Sequence, residues 1–434
     1  MKKETRLGLK ENLPQFILLV IVNAFVGGMV GLERSVLPQL AEEEFHIAAK
    51  TILLSFIVVF GITKAITNYF TGTLAHRFGR KNLLVAGWLF AIPVPLILMY
   101  AENWNYIVAA NILLGIHQGL SWSATVMMKI DLVGEKQRGF AMGLNEFAGY
   151  IAVAVVAFLT GYIAGEYGVR PYPFYTGIAL VAAGLFFSLF LIKDTRHHVS
   201  KEAETSAVPR MKNIFWETSW KDKNLGTITV SGLVNNLNDG MMWGILPVLL
   251  MEQHFSPAET GIIAAIYPAV WGVGQIFTGK MSDFFCKKSL LSWGMWLQGL
   301  SLVYLFFAQS FFEYVMMAVL LGWGTALVYP TFLAAIAENT HPHDRSKSLG
   351  TFRFWRDLGY AIGALLTGVL ADIFGTGEAV LSVALVTIAA AVLIEKRMYC
   401  RVHSIKIWEW INHKFIGKSN DKGRTHCRKI TITE

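Results

Sequence analysis

The sequence predicts an all-α membrane protein with twelve transmembrane helices arranged as two pseudosymmetric six-helix bundles. Composition is the first indication, because the 434 residues are 54% apolar and only 16% charged, whereas soluble proteins average about 25% charged residues. Second, the chain contains twelve long apolar runs, and a helix needs roughly 20 apolar residues to cross a bilayer. Third, motifs of the first half recur in the second half at one fixed spacing, which indicates an internal duplication.

The twelve apolar runs follow one another with mostly short loops, so a water-soluble protein of this sequence would have too little polar surface to dissolve. The first run resembles a signal peptide, but it is longer than the roughly 7–15 apolar residues of a signal core, and no small-residue cleavage site follows it. We therefore expect it to remain in the protein as span 1. The predicted spans 1 to 12 are residues 14–38, 50–75, 83–101, 104–128, 139–165, 172–193, 225–251, 258–282, 289–309, 312–336, 346–372 and 377–395.

The duplication appears as an offset of 207 residues between equivalent positions. The loop Gly72-Thr-Leu-Ala-His-Arg-Phe-Gly-Arg-Lys81 recurs as Gly279-Lys-Met-Ser-Asp-Phe-Phe-Cys-Lys-Lys288. Other equivalent positions carry the same residue, such as Arg138 and Arg345, or opposite charges, as in the case of Glu146 and Arg353. In a chain this apolar, two equivalent halves predict a membrane transporter with its site between them.

A single long polar segment separates the two repeats. It is rich in charged residues, serine, threonine and glutamate. We therefore predict four parts: an N-terminal six-helix bundle (1–193), a central cytoplasmic linker (194–224), a C-terminal six-helix bundle (225–395) and a basic cytoplasmic tail (396–434).

Lysine and arginine are concentrated in the even-numbered loops and at both termini. Since cytoplasmic loops are enriched in these residues, both termini are predicted to be cytoplasmic, in a multi-pass protein of the cytoplasmic membrane. The net charge of +8 has the same origin, and nucleic-acid binding is not predicted because no soluble domain remains to carry it. The expected partners are the lipid bilayer and a small-molecule substrate, and the protein is expected to be a monomer.

The three cysteines, Cys286, Cys400 and Cys427, fall on the predicted cytoplasmic side. A disulfide framework is not expected in a reducing compartment. The histidines of the tail and Cys427 match no zinc-binding spacing, so no metal site is predicted.

The loop between spans 2 and 3, with its repeat between spans 8 and 9, resembles the signature loop of the major facilitator superfamily. Twelve spans, a six-plus-six repeat and a long central linker extend the resemblance over essentially the whole chain. Glycines permit a tight turn, and the cations hold the loop near anionic lipid, near carboxylates or near the carbonyl ends of neighbouring helices. The signature-loop residues are Gly72, His76, Arg77, Gly79, Arg80 and Lys81 in the first copy and Gly279, Asp283, Lys287 and Lys288 in the second.

In that family the acidic residue of the loop locks the cytoplasmic side during one half of the cycle. In the second copy this acidic residue is present as Asp283, whereas His76 replaces it in the first copy. The locking contact of the first copy is therefore either lost or sensitive to protonation. Drug–proton antiporters of the superfamily usually carry an arginine in span 4, three residues before a Gln-Gly pair, and a Gly-Pro motif in span 5. Here Gly115 stands before Gln118-Gly119, and span 5 has no proline.

Several charged residues lie within the predicted spans, where an ionised side chain at mid-bilayer costs about 2.5–3.5 kcal/mol on insertion scales. They must therefore be paired or hydrated. The resemblance places span 2 beside span 11 and span 5 beside span 8, so Lys64 is expected to reach Asp357; Arg353 and Asp357, four residues apart, can also pair on one helix face. Such pairs are either permanent structural ion pairs that hold helices together or gating pairs that break during transport. The residues are Lys64, Glu146, Arg353, Arg356 and Asp357, with Glu33 and Arg34 nearer the outer end of span 1.

Asp239 is the predicted proton-coupling residue. It lies about fourteen residues into span 7, near the midplane, and the resemblance implies that spans 1, 4, 7 and 10 line the cavity. A desolvated carboxylate there can exchange a proton as access alternates. The alternative is a hydrogen-bonded cluster that only joins helices. The expected polar neighbours of Asp239 are Asn235, Asn238, Asn23, His117 and Gln118.

The expected wall of the substrate cavity is aromatic and rich in methionine. Flexible methionines and flat aromatic faces suit amphipathic molecules of varied shape, although the same side chains also serve in packing or facing lipid. The residues are Met29, Trp122, Met241, Met242, Trp243, Trp323 and Tyr329.

These features predict a secondary active transporter that works by alternating access, and they favour proton-coupled efflux of a small amphipathic compound. Proton-coupled import of a polar metabolite or organic anion, with arginines as anion clamps, is the alternative. A transporter-like receptor or assembly factor is a further alternative. An enzyme is not predicted, because the Gly-x-Ser-x-Gly, Walker and His-Glu-x-x-His motifs are missing from the sequence. The proton gradient is the expected energy source, without a cofactor.

Overall fold

The computed structural model describes residues 5–34, 36–46, 50–135, 137–255 and 257–400. Within these ranges every regular element is helical. The helices form the twelve spans in two bundles that the sequence predicts, joined by a linker that also contains short helices. Residues 401–434 of the basic tail, including Cys427, lie outside the described residues.

The first bundle contains spans 1 to 6. Span 1 is built from two helices, and span 3 is broken at Ile92, where Pro93 begins a new helix because proline cannot donate the next backbone hydrogen bond. Span 6 ends in a π-helical turn. The observed bounds are Leu13–Arg34 with Val36–Glu43 (span 1), Lys50–Phe78 (2), Arg80–Ala91 with Pro93–Tyr100 (3), Trp104–Val133 (4), Arg138–Tyr167 (5), and Tyr172–Phe186 with Phe187–Leu191 (6).

The second bundle contains spans 7 to 12 and begins after the linker. Spans 7, 8 and 10 each contain an internal proline, at Pro247, Pro268 and Pro330. The observed bounds are Lys223–Glu252 (7), Pro257–Met281 (8), Lys287–Phe307 (9), Phe311–Asn339 (10), Pro342–Phe374 (11) and Thr376–Arg397 (12).

Three spans are less apolar than the others. Among the described residues, nine spans are long and apolar enough to cross a membrane on composition alone, and spans 2, 4 and 7 are not among them. These three contain 29, 30 and 30 residues, or about 44 Å of helix at 1.5 Å per residue. They are long enough to cross the bilayer, and their lower hydropathy reflects buried polar residues such as Asn68, Gln118 and Asp239, which face the protein interior.

The outer surface of the bundles is apolar and aromatic, as expected for a protein surrounded by lipid. Large side chains are widely exposed, among them Phe158 (78%), Phe190 (71%) and Phe312 (68%). A water-soluble monomer rarely exposes such large apolar areas. The polar side chains of the spans are instead mostly buried, which reverses the usual arrangement of a soluble protein.

Spans 2 and 11 pack together, and so do spans 5 and 8; these two pairs join the bundles. The loops between spans 2 and 3, 4 and 5, 8 and 9, and 10 and 11 lie at one end, which we call the basic end. The two ends of the described chain lie there too, because Asn12 bonds to the backbone of Leu132 and Asn224 bonds to the backbone of Tyr399. The basic end is the end that the sequence predicts to be cytoplasmic.

The linker packs against both bundles at the basic end. A helix, Arg196–Ala203, is followed by a short helical segment, Ile214–Trp216, that continues as the π-helical turn Glu217–Lys221. Thr218 bonds to Ser348 of span 11 at 3.1 Å, and Trp355 of span 11 donates to Ser219 at 2.9 Å. These bonds tie the second part of the linker to span 11.

The structure contains a disulfide between Cys286 and Cys400, with their Cα atoms 5.9 Å apart. The sequence-based expectation of no disulfide is therefore wrong for this pair. Span 9 begins just after Cys286, and span 12 ends just before Cys400. Because spans 9 and 12 pack together, with Ser292 bonded to Glu395 at 2.8 Å, the fold brings the two cysteines into reach.

Candidate functional site

A group of charged residues lies between the bundles, on spans 2, 5 and 11. We call it the charged layer; its members are Lys64, Glu146, Arg353, Arg356 and Asp357. Asp357 of span 11 accepts a hydrogen bond from Asn68 of span 2 at 2.5 Å and forms an ion pair with the adjacent Arg356 at 2.9 Å. The predicted pairs of Asp357 with Lys64 and with Arg353 do not appear among the described ion pairs. Instead, the Lys64 ammonium lies 5.7 Å from the ring centres of both Phe60 and Trp122.

Lys64 is displaced from its predicted partner by one helical turn. Asn68 lies four residues beyond Lys64, on the same face of span 2. Asp357 therefore meets the residue that lies one turn beyond Lys64 on the same face of span 2. The bond from Asn68 to Asp357 still joins the two bundles.

The pseudosymmetric residues Glu146 and Arg353 meet across the bundle interface. The Arg353 Nη2 atom lies 3.6 Å from Glu146 Oε1, and both side chains are at most 4% exposed. Glu146 also accepts hydrogen bonds from Trp122 Nε1 at 3.2 Å and from Asn145 Nδ2 at 2.6 Å, while Arg353 donates to Ser123 at 3.3 Å. The ion pair is long, and Glu146 Oε2 and the Nε and Nη2 atoms of Arg353 have no hydrogen-bond partner in the described structure.

Lys129 is a buried cation that the sequence reading missed. It is fully buried near the end of span 4, and its ammonium donates to the side-chain oxygen of Asn145. In the part of the chain that the structure describes, no carboxylate lies within ion-pair distance of it. The predicted span 4 ends at residue 128, one residue before Lys129, where a lysine commonly reaches toward the interface.

Asp239 lies in the interior of the second bundle and is 3% exposed. Its carboxylate accepts a hydrogen bond from the hydroxyl of Tyr267 in span 8, and this hydroxyl lies 3.2 Å from Thr325 in span 10. The carboxylate therefore links spans 7, 8 and 10, three helices of the same bundle.

An aromatic cluster connects the Asp239 region to the other bundle. Tyr267 stacks on Trp271 at 5.9 Å, and Trp271 packs at 4.3 Å against Tyr150 of span 5. Trp271 also meets the ring of Tyr329 edge-on, and the Arg356 guanidinium lies 4.0 Å from the centre of that ring. The rings thus form a continuous chain of contacts from Tyr267, the donor to Asp239, to Tyr150 of span 5 and to Arg356 of span 11.

The predicted polar neighbours of Asp239 do not gather around it. Asn238 accepts a hydrogen bond from Thr387 at 2.8 Å and donates to Gln298 at 3.0 Å, so it faces spans 9 and 12. The side-chain atoms of Asn235 are buried without a hydrogen-bond partner in the described structure. Of the two predicted neighbours on span 7, Asn235 is therefore the one whose polar side-chain atoms have no described partner; Gln118 Oε1 and His117 Nε2 also have none.

The other three predicted neighbours of Asp239 stay within the first bundle. Asn23 bonds to the Asn145 carbonyl at 2.8 Å and to Thr125 at 2.7 Å, Gln118 bonds to the Val26 carbonyl at 2.6 Å, and His117 lies 3.0 Å from the Gly87 carbonyl. These side chains join spans 1, 3, 4 and 5 and make no described contact with Asp239.

The two charged residues of span 1 point to different partners. Glu33 is 3% exposed and accepts a hydrogen bond from Asn111 of span 4 at 3.1 Å. Arg34 lies near the hydroxyl of Tyr360 in span 11, in the other bundle. Glu33 is therefore part of the first bundle, whereas Arg34 bridges the two.

The predicted cavity residues fall into two groups. Met29, Trp122, Met241, Met242 and Tyr329 are at most 5% exposed and belong to the packed interior. Trp243 and Trp323 are 49% and 40% exposed. Of the buried group, Trp122 and Tyr329 border the charged layer through their contacts with Lys64 and Arg356.

The signature loops differ in how they reach the opposite bundle. Asp283 accepts hydrogen bonds from the backbone N–H groups of Gly139, at 2.7 Å, and Phe140, at 2.9 Å, in the first turn of span 5. Burial raises the pKa of Asp283 to about 6, although these two N–H groups act in the opposite direction. His76 at the equivalent position is exposed, with its ring 6.5 Å from the ring of His343. The acidic latch is present in one copy only.

The cations of the loops have distinct partners. Arg80 is buried, pairs with Asp131 at 3.1 Å and donates to Ser346 of span 11 at 2.9 Å. Lys287 pairs with Glu338 at 2.6 Å. The remaining loop residues lie at the surface or in the turn. Arg77 is exposed and lies 5.5 Å from the Phe78 ring, Lys81 donates to the Leu189 carbonyl at 2.7 Å, and Lys288 is half-buried. Gly79 forms the turn with a φ of 86°, which favours glycine.

Glu202 of the linker is a second feature that the sequence reading missed. This buried carboxylate pairs with Arg138, the first residue of span 5, and accepts two hydrogen bonds from Arg345 of span 11, at 2.6 and 2.8 Å. The two arginines are pseudosymmetric equivalents, one from each bundle. We call this three-residue arrangement the linker clasp. Burial alone would raise the pKa of Glu202, but Arg345 and Arg138 outweigh it and hold the pKa below its usual value of 4.5.

Two pairs of glycines bring the bundles into close contact at the basic end. A Cβ atom on Gly72 would lie 2.4 Å from the Ser346 carbonyl oxygen and 2.8 Å from the Cα of Gly350. A Cβ atom on Gly279 would lie 2.6 Å from the Gly139 oxygen and 2.8 Å from the Cα of Gly143. The pairs Gly72–Gly350 and Gly279–Gly143 are related by the 207-residue offset, so both halves of the duplication close the basic end in the same way.

A Gly279→Val substitution is expected to hold the basic end open, because its side chain would overlap the backbone of span 5. The measurement is modification of a cysteine placed at Ala337, which is 1% exposed at the basic end, in a background with Cys286, Cys400 and Cys427 replaced by serine. Modification by a soluble maleimide should be several-fold faster than in the Ala337→Cys parent. Gly272→Val in the same span is the matched control, since no atom lies within 4 Å of a Cβ there; equal rates in all three proteins would contradict the expectation.

Comparison with known proteins agrees with this architecture. A family model described as Major Facilitator Superfamily matches residues 18–233 and 228–404. The chain is 24% identical over 327 residues to the multidrug resistance protein MdtG of Escherichia coli (strain K12 / DH10B), covering 73% of this chain and 78% of that protein. It is also 24% identical over 329 residues to MdtG of Salmonella paratyphi C, covering 73% and 79%.

Solved structures share the fold. The human organic anion transporter MFSD10 (TETRAN) superimposes with a TM-score of 0.72 at 14% identity, covering 88% of this chain and 99% of that one. The proton:xylose symporter XylE gives a TM-score of 0.73 at 13% identity, covering 88% and 95%. With the twelve spans, the two related bundles and a family match over most of its length, the chain belongs to the Major Facilitator Superfamily and is a membrane transporter.

Proposed function

We propose that this protein exports a small amphipathic molecule in exchange for protons, by alternating access between its two bundles. The observation that carries the proposal is Asp239, a buried carboxylate with a single hydroxyl donor, Tyr267, and no ion-pair partner among the described residues. A carboxylate in such surroundings is far less costly when it carries a proton than when it is ionised. Its proton can be released when the bundle opens to water.

The basic end is proposed to face the cytoplasm. The structure is closed at that end, and a state closed to the cytoplasm is one of the two states that alternating access requires. The linker clasp, the Asp283 latch and the two glycine pairs all join the bundles at that end. Opening that end requires that these contacts separate together, so they form a two-state element of the kind that alternating access needs. The resemblance to proteins named for multidrug resistance supports export over uptake of a nutrient.

The test is a proton-flux assay in proteoliposomes that contain the purified protein and a trapped pH-sensitive dye. A panel of amphipathic compounds and polar metabolites is added while a pH gradient is imposed. At least one compound is expected to accelerate proton movement, and the gradient is expected to drive that compound against its own concentration. If compounds equilibrate without moving protons, the coupling proposal is wrong; if only nutrient-like polar metabolites are moved, the importer alternative is correct.

The receptor or assembly-factor alternative is tested by truncation. Residues 401–434 lie outside the described part of the chain, and the transporter proposal needs none of them for the site. A protein ending at Cys400 should retain most of its flux in the same liposomes. Loss of cellular function with unchanged flux would favour the receptor alternative.

A further inference from the structure

We infer that the transported molecule carries a negative charge, which it places against Arg353 between Lys64 and Lys129. This inference rests on the proposed function, since it names the chemical class of the substrate of the same site. The three basic side chains, from spans 2, 11 and 4, lie around this position, and among the described residues Glu146 is the one carboxylate within ion-pair distance of any of them, at 3.6 Å from Arg353.

The charges around Arg353 do not balance. Lys129 donates to Asn145, which donates to Glu146, and Lys64 lies 5.7 Å from the ring centre of Trp122, which also donates to Glu146. Both lysines are thus one residue away from the carboxylate that faces Arg353. Glu146 is the carboxylate within ion-pair distance of Arg353, at 3.6 Å, and neither lysine has a described ion pair. Of the described carboxylates, Glu146 thus faces three basic side chains. Burying basic side chains without enough counter-charge is costly, so an anion that enters this position lowers that cost.

The rest of the charged layer does not remove the imbalance. Arg356 and Asp357 neutralise each other at 2.9 Å. If Asp239 is added to the count, four cations still face three carboxylates. A cationic molecule at this position would increase the excess of positive charge, whereas a carboxylate or sulfonate would reduce it.

Arg353 also has unused hydrogen-bonding capacity. Its side chain is 4% exposed, yet its Nε and Nη2 atoms have no hydrogen-bond partner in the described structure. A guanidinium offers a planar pair of donors that matches the two oxygens of a carboxylate. The long contact with Glu146 occupies this edge only partly, so Glu146 acts as an internal counter-ion that an anionic substrate displaces.

The neighbouring rings specify an apolar body for the same molecule. Trp122 donates to Glu146 and packs against Tyr150 at 5.6 Å, and Tyr150 packs against Trp271 at 4.3 Å. An aromatic or aliphatic group attached to the anion can rest on these faces. The substrate class is therefore an amphipathic organic anion.

The direct test is binding to the purified protein by isothermal titration calorimetry at neutral pH, with no gradient. The probes are matched triples on one aromatic scaffold, such as 1-naphthylacetate, its amide and 1-naphthylmethylamine, with further triples on other scaffolds. In at least one triple the anion is expected to bind about tenfold or more tightly than both relatives, as one charged hydrogen-bonded contact provides. If no anion in the panel binds more tightly than its amide and amine, the inference is wrong.

Two variants give opposite expected results, which a purely structural role would not produce. Arg353→Gln should weaken binding of the anion about tenfold or more, while Glu146→Gln should strengthen it by removing the competing carboxylate. Arg196→Gln, at an arginine of the linker whose side chain is 53% exposed, is the control and should leave affinity unchanged. Equal anion affinity in wild type, Arg353→Gln and Glu146→Gln would overturn the inference; the Glu146→Gln result decides it if Arg353→Gln fails to fold.

Failure of this inference and failure of the proposed function are distinguishable. Binding of cations in preference to anions, together with proton-coupled flux, would overturn only the charge assignment. Tight anion binding without any proton movement would overturn only the coupling.

Discussion

Asp239→Asn is expected to abolish proton-driven accumulation while leaving a folded protein. Asparagine has nearly the shape of a protonated aspartic acid and can still accept the hydrogen bond from Tyr267. It cannot release a proton, so the movement of protons in one direction can no longer drive the movement of substrate in the other. Uphill accumulation in the proteoliposome assay should fall to the level of protein-free vesicles, whereas exchange of labelled substrate down its own gradient should continue.

The matched control is Asp372→Asn, which removes an exposed carboxylate near the opposite end of span 11. It is expected to transport like wild type. Tyr267→Phe should give an intermediate loss, because it leaves Asp239 buried without its donor. Undiminished uphill accumulation by Asp239→Asn would move the coupling site elsewhere, with buried Glu33 as the next candidate.

Glu202→Gln is expected to shift the protein strongly toward a state with an open basic end. In the linker clasp Glu202 pairs with both Arg138 and Arg345, while Asp131 lies 3.9 Å from Arg345. Without the charge of Glu202, Arg138 loses its described ion-pair partner and Arg345 keeps only the longer contact with Asp131, and breaking one partner of a buried ion pair typically costs about 3–5 kcal/mol. Separation of the bundles at the basic end lets both arginines reach water and so relieves this cost.

The reporter is again the rate at which a soluble maleimide modifies Ala337→Cys in the protein without its native cysteines. Glu202→Gln should raise this rate at least tenfold. Glu204→Gln is the matched control two residues away, where the carboxylate is largely exposed and pairs with Lys201; surface pairs of this kind contribute little. Similar rates for both variants would mean that the clasp does not hold the basic end closed.

The linker clasp also has a defined dependence on pH. The arginines hold the pKa of Glu202 below 4.5, so its contribution to closure is complete above that value. Closure should weaken only as the pH falls through the lowered pKa, and not between pH 6 and 8. A maleimide rate at Ala337→Cys that is constant across the neutral range is therefore expected from Glu202.

The fold could be predicted from the sequence because its signals are global. Apolar runs of bilayer length, polar loops and the 207-residue repeat all point to the same arrangement, and no single residue decides it. The same repeat identified Arg138 with Arg345 and Glu146 with Arg353. It could not show that the first pair shares the linker residue Glu202 or that the second pair meets across the interface.

The individual contacts were harder to predict because they depend on register and side-chain direction. Spans 2 and 11 were expected to be neighbours, yet Asp357 meets Asn68 and not Lys64, one turn away. Asn238 was expected near Asp239, but adjacent residues on a helix point about 100° apart, and it faces spans 9 and 12. Lys129 was overlooked because burial near a helix end depends on neighbouring spans, which a single sequence does not reveal.

The most direct test of alternating access is a pair of distance measurements on the same two spans. Spin labels at the exposed residues Gln137 and Phe284 report the basic ends of spans 5 and 8, and labels at Glu166 and Ile262 report the opposite ends. Double electron–electron resonance is recorded for each pair in wild-type and Glu202→Gln protein, with the native cysteines replaced by serine. We predict that in the variant the basic-end distance lengthens while the opposite-end distance shortens. Distances that stay unchanged at both ends, or that lengthen together, would contradict the account.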